Sequence, residues 1–121
     1  MKRSSVVTGL LALAVGCVHA TQFDRYYTNA QWVDAAREFA ADSTLGNDQH
    51  ELYRAGLLYG TPGRPTYDPA KARDLLSTLL ARFPNTSHRD DAEARLALLT
   101  DLLRSRDDAM RRERELENRI A

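Results

Sequence analysis

The segment Thr61-Pro62-Gly63-Arg64-Pro65 constrains this chain more than any other. Two prolines and a glycine so close together cannot continue a helix, whereas the sequence on either side has helical periodicity. Upstream, Leu52, Ala55, Gly56 and Tyr59 share one helical face behind Asp48-x-x-Glu51, which has the form of a capping box, and Gly60 is expected to stop that helix. Downstream, Asp68-Pro69 restarts one. The aspartate can accept from the free first-turn amides, and proline at the first helical position sacrifices no hydrogen bond. The restarted helix carries Ala72, Leu75, Leu76, Leu79, Leu80 and Phe83, a stripe wide enough to be buried on two sides, and Pro84-Asn85 ends it.

The same reading extends in both directions. Thr28-x-x-Gln31 resembles a capping box ahead of a helix over 30–41, with Trp32, Ala35, Ala36, Phe39 and Ala40 on one face. Gly46-Asn47 ends the connection to the next helix. Ser87, with Asp90 three residues on, can cap a last helix that meets no glycine or proline before the chain ends. Its first half carries Ala92, Leu96, Leu99 and Leu103. In its second half the same seam would use Arg106, Met110, Glu113 and Glu117, so the apolar stripe fails. Asp107 with Arg111, Asp108 with Arg112 and Glu115 with Arg119 are acid-before-base pairs worth ~0.2–0.5 kcal/mol each, which support a solvated helix. Leu116 and Ile120 leave a weak coiled coil open beside a frayed charged extension. The expected fold class is all-α: antiparallel helical hairpins, about four helices, with a long charged C-terminal helix.

Residues 1–16 read as a processing segment. Lys2 and Arg3 precede an apolar run from Val6 to Val15, too short for the ~20 residues a bilayer span needs. Leu13-Ala14-Val15-Gly16-Cys17 resembles the bacterial lipobox, which implies cleavage before Cys17 and covalent lipid on its sulfur. Val18-His19-Ala20 also satisfies the small-x-small rule for cleavage after Ala20, which would leave the product soluble in the periplasm. Cys17 is the only cysteine, so it has no internal disulfide partner, and lipidation accounts for it. Cleavage before Cys17 leaves 121 − 16 = 105 residues: a tether over 17–28, a helical domain over 29–104 and a charged extension over 105–121. Phe23, Tyr26 and Tyr27 have near-helical spacing, suiting either packing on the next helix or the membrane interface. Removing Lys2 and Arg3 leaves 15 basic against 17 acidic side chains, which gives no electrostatic reason to expect nucleic acid.

One comparison goes further. Leu52-x-x-Ala55-Gly56-x-x-Tyr59 followed by Ala72-x-x-x-Leu76, Leu79 and Pro84 resembles a tetratricopeptide repeat, and Trp32-x-x-Ala35-x-x-x-Phe39 resembles the second helix of a preceding unit. Ala35 and Ala72 are 72 − 35 = 37 residues apart, close to the repeat length. Ala55 departs from the leucine of the repeat, and the earlier unit lacks a convincing first helix. With the lipobox, the runs Leu79-Leu80-x-x-Phe83-Pro84-Asn85-Thr86-Ser87 and Ala92-Glu93-Ala94-Arg95-Leu96-Ala97-Leu98-Leu99 resemble repeat-containing envelope lipoproteins. Two groups are similar: the lipoprotein subunit of the β-barrel assembly machinery and the small lipoprotein associated with a two-component sensor kinase. The resemblance implies at least two acyl chains on Cys17, enough for stable anchoring. Val18 stands where an aspartate would favour inner-membrane retention, which points to the outer membrane. The implied role is protein binding in the envelope, whether in outer-membrane protein assembly, in contact with a periplasmic sensor-kinase domain, or in self-association through the C-terminal helix.

The sequence offers no catalytic constellation. His19, His50 and His88 lie in separate segments without a ligand at i+4, so no metal is expected. Gly60 to Gly63 is interrupted by proline and precedes no Lys-Ser/Thr pair, and no Gly-x-Ser-x-Gly elbow occurs. Asp90 and Asp91 are adjacent, point to different helix faces and read as capping residues. No cofactor is expected beyond the lipid on Cys17. The expected partner is an envelope protein, in a groove near Trp32, Tyr53, Tyr59 and Tyr67.

Overall fold

The computed structural model describes residues 20–121, and the segment expected to be an export signal, with Cys17, Val18 and His19, lies outside them. The described chain is all-helical: α1 (Gln22–Thr28), α2 (Trp32–Ala41), a 3-10 segment (Ser43–Asn47), α3 (Gln49–Gly60), α4 (Pro69–Arg82) and α5 (Arg89–Ile120). The helix beyond the four main ones expected is α1, formed where the sequence left a tether or a helix remnant.

α1 exists because Thr21 and Asp24 make a reciprocal capping box. The Asp24 amide donates to Thr21 Oγ1 at 3.0 Å, and the Thr21 amide donates to Asp24 Oδ2 at 3.2 Å. The box expected at Thr28 and Gln31 is not made. Thr28 is the last residue of α1, and Gln31 caps α2 without a side-chain bond. The chain reverses there by a backbone device: the Gln31 amide donates to Tyr26 O at 2.9 Å and the Ala30 amide to Tyr27 O at 3.1 Å. This is the Schellman pattern, whose pivot residue takes left-handed backbone, and Ala30 has φ 56°. Two backbone bonds thus close α1, and α2 starts without a side-chain cap.

Local chemistry starts α3 and α4 as expected. Asp48 Oδ1 accepts from the His50 and Glu51 amides at 2.8 and 3.1 Å. Asp68 Oδ1 accepts from Lys71 N at 3.1 Å, with Pro69 at the first turn. Gly60 closes α3 in sequence but is not its conformational stop, since extended Thr61 caps the helix. The final carbonyls of α3 are taken up by the turn: Thr61 Oγ1 donates to Leu57 O, Thr66 Oγ1 to Leu58 O and Asp68 N to Tyr59 O, at 2.7–2.8 Å. The positive φ falls on Gly63, at 88°. Gly60 and Gly56 instead let α4 approach. A Cβ on Gly60 would sit 3.2 Å from Ala72 Cβ, and one on Gly56 would sit 2.5 Å from Leu76 Cδ2. Those contacts run in opposite chain directions, so α3 and α4 are antiparallel.

α5 then returns beside α3 in the same direction. His50 meets His88, Tyr53 meets Asp91 and Gly60 reaches toward Leu99. Ser87 does not cap α5. Its N-cap is His88, without a side-chain bond, and the His88 amide donates to the buried Thr86 hydroxyl at 3.3 Å. With 32 residues α5 is about 48 Å long, against about 21 Å for the 14-residue α4, so its far half projects past the hairpins.

The core runs from Phe23 and Ala35 through Leu45, Leu52, Ala55 and Leu58 to Leu76, Leu79, Ala92 and Leu99. Full burial of each large apolar side chain there contributes ~1.5–3 kcal/mol. Phe23 packs on Phe39 and Tyr27, with ring centroids 5.6 and 6.1 Å apart, so α1 belongs to the core. Leu96 and Leu103 are half-buried, and beyond Arg104 every residue of α5 is exposed except half-buried Asp108. The expected i, i+4 pairs do not form along this stretch. Asp108 pairs with Arg111 one turn position nearer, because a solvated side chain takes whichever neighbour its rotamer reaches. No helix among the described residues is long and apolar enough to cross a membrane.

Candidate functional site

The residues expected to pack hairpins together are mostly buried. Ala35, Leu52, Ala55, Gly56, Tyr59, Ala72, Leu76 and Leu79 are buried, Trp32 and Phe39 are half-buried against them, and Pro84 is exposed. The aromatic residues expected to line one groove are dispersed. Trp32 is in edge contact with Tyr27 at 5.3 Å and is covered by the Arg64 guanidinium 3.8 Å from its ring. Tyr59 is buried, with the Lys71 ammonium 4.4 Å from its ring centroid. Tyr53 faces α5, and Tyr67 alone lines an open cleft. Aromatic character was the only signal linking these four, and it carries no information about direction.

The cleft that does form lies between α3, α4 and α5. It encloses about 230 Å³ over a floor of Gly56, Gly60 and Leu76, with Leu98, Leu99 and Leu102 of α5 on one wall. Tyr67, Pro62 and Arg95 border it. The missing side chains of Gly56 and Gly60 admit Leu76 and Ala72 of α4, and α5 roofs the cleft beside them only in part. Leu98 remains 71% exposed on that wall, beside the half-buried Leu102.

A polar row joins α3 to α5 at the other end. His50 Nδ1 and His88 Nε2 are 2.8 Å apart, and the Tyr53 ring stacks on the His88 ring with centroids 4.0 Å apart and planes 6° from parallel. The Tyr53 hydroxyl donates to Asp91, which also accepts from Arg95 Nε at 2.7 Å. Asp91 therefore braces Tyr53 and is not bonded to a first-turn amide as capping would require. The Tyr53 hydroxyl, aided by Arg95, holds the Asp91 carboxyl below its ordinary range, whereas burial and the Asp91 charge push the Tyr53 phenol up. Burial and the neighbouring His50 lower His88.

The third cluster seats α1 on α3. Arg54 pairs with Asp24, which lies beside Glu51. Glu51 is only 7% exposed, and its Oε2 has no hydrogen-bond donor. Burial, reinforced by the adjacent Asp24 carboxylate, pushes Glu51 up to about 8. At neutral pH Glu51 is thus a neutral acid able to donate to Asp24. Burial works to raise Asp24 too, but bonds from Glu51 and Thr21 and the Arg54 charge outweigh it and hold Asp24 below its ordinary value.

Among the described residues no three histidine, cysteine or carboxylate side chains converge as a metal cage. The pairings His50 with His88 and Tyr53 with Asp91 escaped sequence reasoning. Their one signal is a shared separation of 38 residues, meaningful only once α3 and α5 are known to be parallel. No protein-family model matches this chain, and no curated protein or solved structure does either.

Proposed function

We propose that this chain is an envelope lipoprotein, held by lipid on Cys17 at the outer membrane, whose stacked helical hairpins bind a protein partner in the cleft between α3, α4 and α5. The observation that carries the reading is Leu98, exposed on the wall of an apolar cleft floored by two glycines. An apolar side chain on a partner's helix would fill that hollow and cover Leu98. Two features support a tetratricopeptide-like arrangement: α3 and α5 run parallel with α4 antiparallel to α3, and Ala35 and Ala72 are each fully buried at corresponding places on α2 and α4. Partners of the kinds implied by the sequence are a β-barrel assembly component or the periplasmic domain of a sensor kinase.

A photo-crosslinking residue at position 98 in cells, with position 37 on exposed α2 as control, tests the cleft. The expected product is an adduct with one envelope protein from position 98, absent from position 37 and lost when Leu102→Glu puts a charge on the cleft wall. Equal labelling from both positions overturns the reading. Cys17→Ser tests the anchor and should release the protein from membranes.

A second reading rests on the projecting half of α5, where Met110, Leu116 and Ile120 are 51, 58 and 86% exposed. These residues would be covered by self-association into a helical pair. A position-98 adduct consisting only of the chain itself would favour it.

A further inference from the structure

We infer that His50 and His88 form a two-ligand site for a divalent transition-metal ion, which clamps α3 to α5. His50 Nδ1 and His88 Nε2 point at each other across 2.8 Å from separate helices, with their rings almost perpendicular at 88°. In the metal-free pair one nitrogen carries a proton and the other receives it. Two imidazole nitrogens bound to one tetrahedral zinc at ~2.0–2.1 Å stand roughly 3.3 Å apart, so the pair admits the ion once the nitrogens part by roughly 0.5 Å and each ring tilts to aim its lone pair at the metal. No proton need leave: the ring that donated shifts its hydrogen to its far nitrogen, and both facing lone pairs become ligands.

Two further features prepare the site. His88 is held in plane by Tyr53, whose hydroxyl is tied through Asp91 to Arg95, so the ring orientation is set from α3 and α5 together. The groups facing His88 are His50, Tyr53, Asp91 and Arg54. Exposed His50 leaves the remaining coordination positions open to water. Imidazole ligands select zinc, nickel or copper over magnesium or calcium, which prefer oxygen.

Zinc chloride titrated into the full chain without a polyhistidine tag tests this, with magnesium as control, using calorimetry and thermal unfolding. The expected result is one zinc bound per chain, a rise in Tm that magnesium does not produce, and loss of the effect below pH 5.5 as protons compete. His50→Ala, at an exposed position, should retain the helical circular dichroism and lose roughly tenfold or more in zinc affinity. His88→Gln should do the same. Absence of zinc binding at neutral pH overturns the assignment. Binding that persists undiminished in His50→Ala also overturns it, since carboxylates elsewhere would then hold the ion.

Discussion

A Cβ placed on Gly56 would lie 2.5 Å from Leu76 Cδ2 and 2.9 Å from its Cγ, so α3 and α4 meet at a separation only glycine permits. Leu76 is fully buried, so a Cβ at position 56 would force its packed side chain to shift. Gly56→Ala should therefore destabilise the fold by ~1–3 kcal/mol, although alanine is the better helix former. Urea unfolding checks this, and Gly56→Ala with Leu76→Ala supplies a cycle. The double variant should lose clearly less than the sum of the single variants, because removing Leu76 relieves the clash. Additive losses would mean the two residues do not share this contact.

Ala30 occupies left-handed backbone at φ 56° to complete the reversal between α1 and α2. That conformation costs a residue with a Cβ ~1–2 kcal/mol, and glycine escapes the cost at the expense of a freer unfolded chain. Ala30→Gly is expected to stabilise the protein by about 0.5–1 kcal/mol. Thermal melts at one pH would show it, and a lower Tm would refute the reversal geometry.

Glu51 gives stability a pH dependence of unusual sign for a carboxyl group. In the unfolded chain it titrates near 4.5 and in the folded chain near 8. Its favourable contribution is thus fully present below pH 4.5 and is lost as pH rises toward 8, where the folded state holds a proton the unfolded chain has released. Asp24, whose value is lowered, contributes in the opposite sense: its stabilisation is present above 3.8 and is lost as pH falls through its folded value. Glu51→Gln keeps the shape and a donor for Asp24 while removing the titration. It should be more stable than wild type by on the order of 2 kcal/mol at pH 8 and nearly equal at pH 4.5. Parallel pH profiles of the two proteins would sink the proposal.

Beyond Arg104, α5 contributes no buried residue. Truncation after Arg104 should leave the urea midpoint within the small change expected of surface alterations, roughly 0.5 kcal/mol in stability. If residues 105–121 pair two chains, the same truncation would abolish a concentration dependence of Tm seen in the full chain.

Legibility in the sequence followed the range of the forces involved. The starts of α3 and α4 were readable because Asp48 and Asp68 act on amides two or three residues away. The helical faces were readable too, since Leu52, Ala55 and Tyr59 on α3, and Ala72, Leu76 and Leu79 on α4, recur with the period of a helix. Thr28 and Ser87 misled because neighbouring groups set those turns: backbone bonds around Ala30 end α1 with Thr28 as its last residue, and the hydroxyl of buried Thr86, not Ser87, serves the His88 amide. Glu51 completed a sequence pattern at Asp48 but was taken into the contact with α1.

The sequence by itself determined an all-helical chain, broken at Pro62 to Pro65, with a solvated C-terminal helix, because helix periodicity, proline geometry and end capping act within one or two turns. Only the tertiary structure decided that α5 lies parallel to α3, that His50 meets His88, and that α3, α4 and α5 leave a cleft beneath Leu98. Those pairings depend on how helices separated by a turn of their own are docked. Docking is fixed by the summed shape of many buried side chains, and no local pattern encodes it.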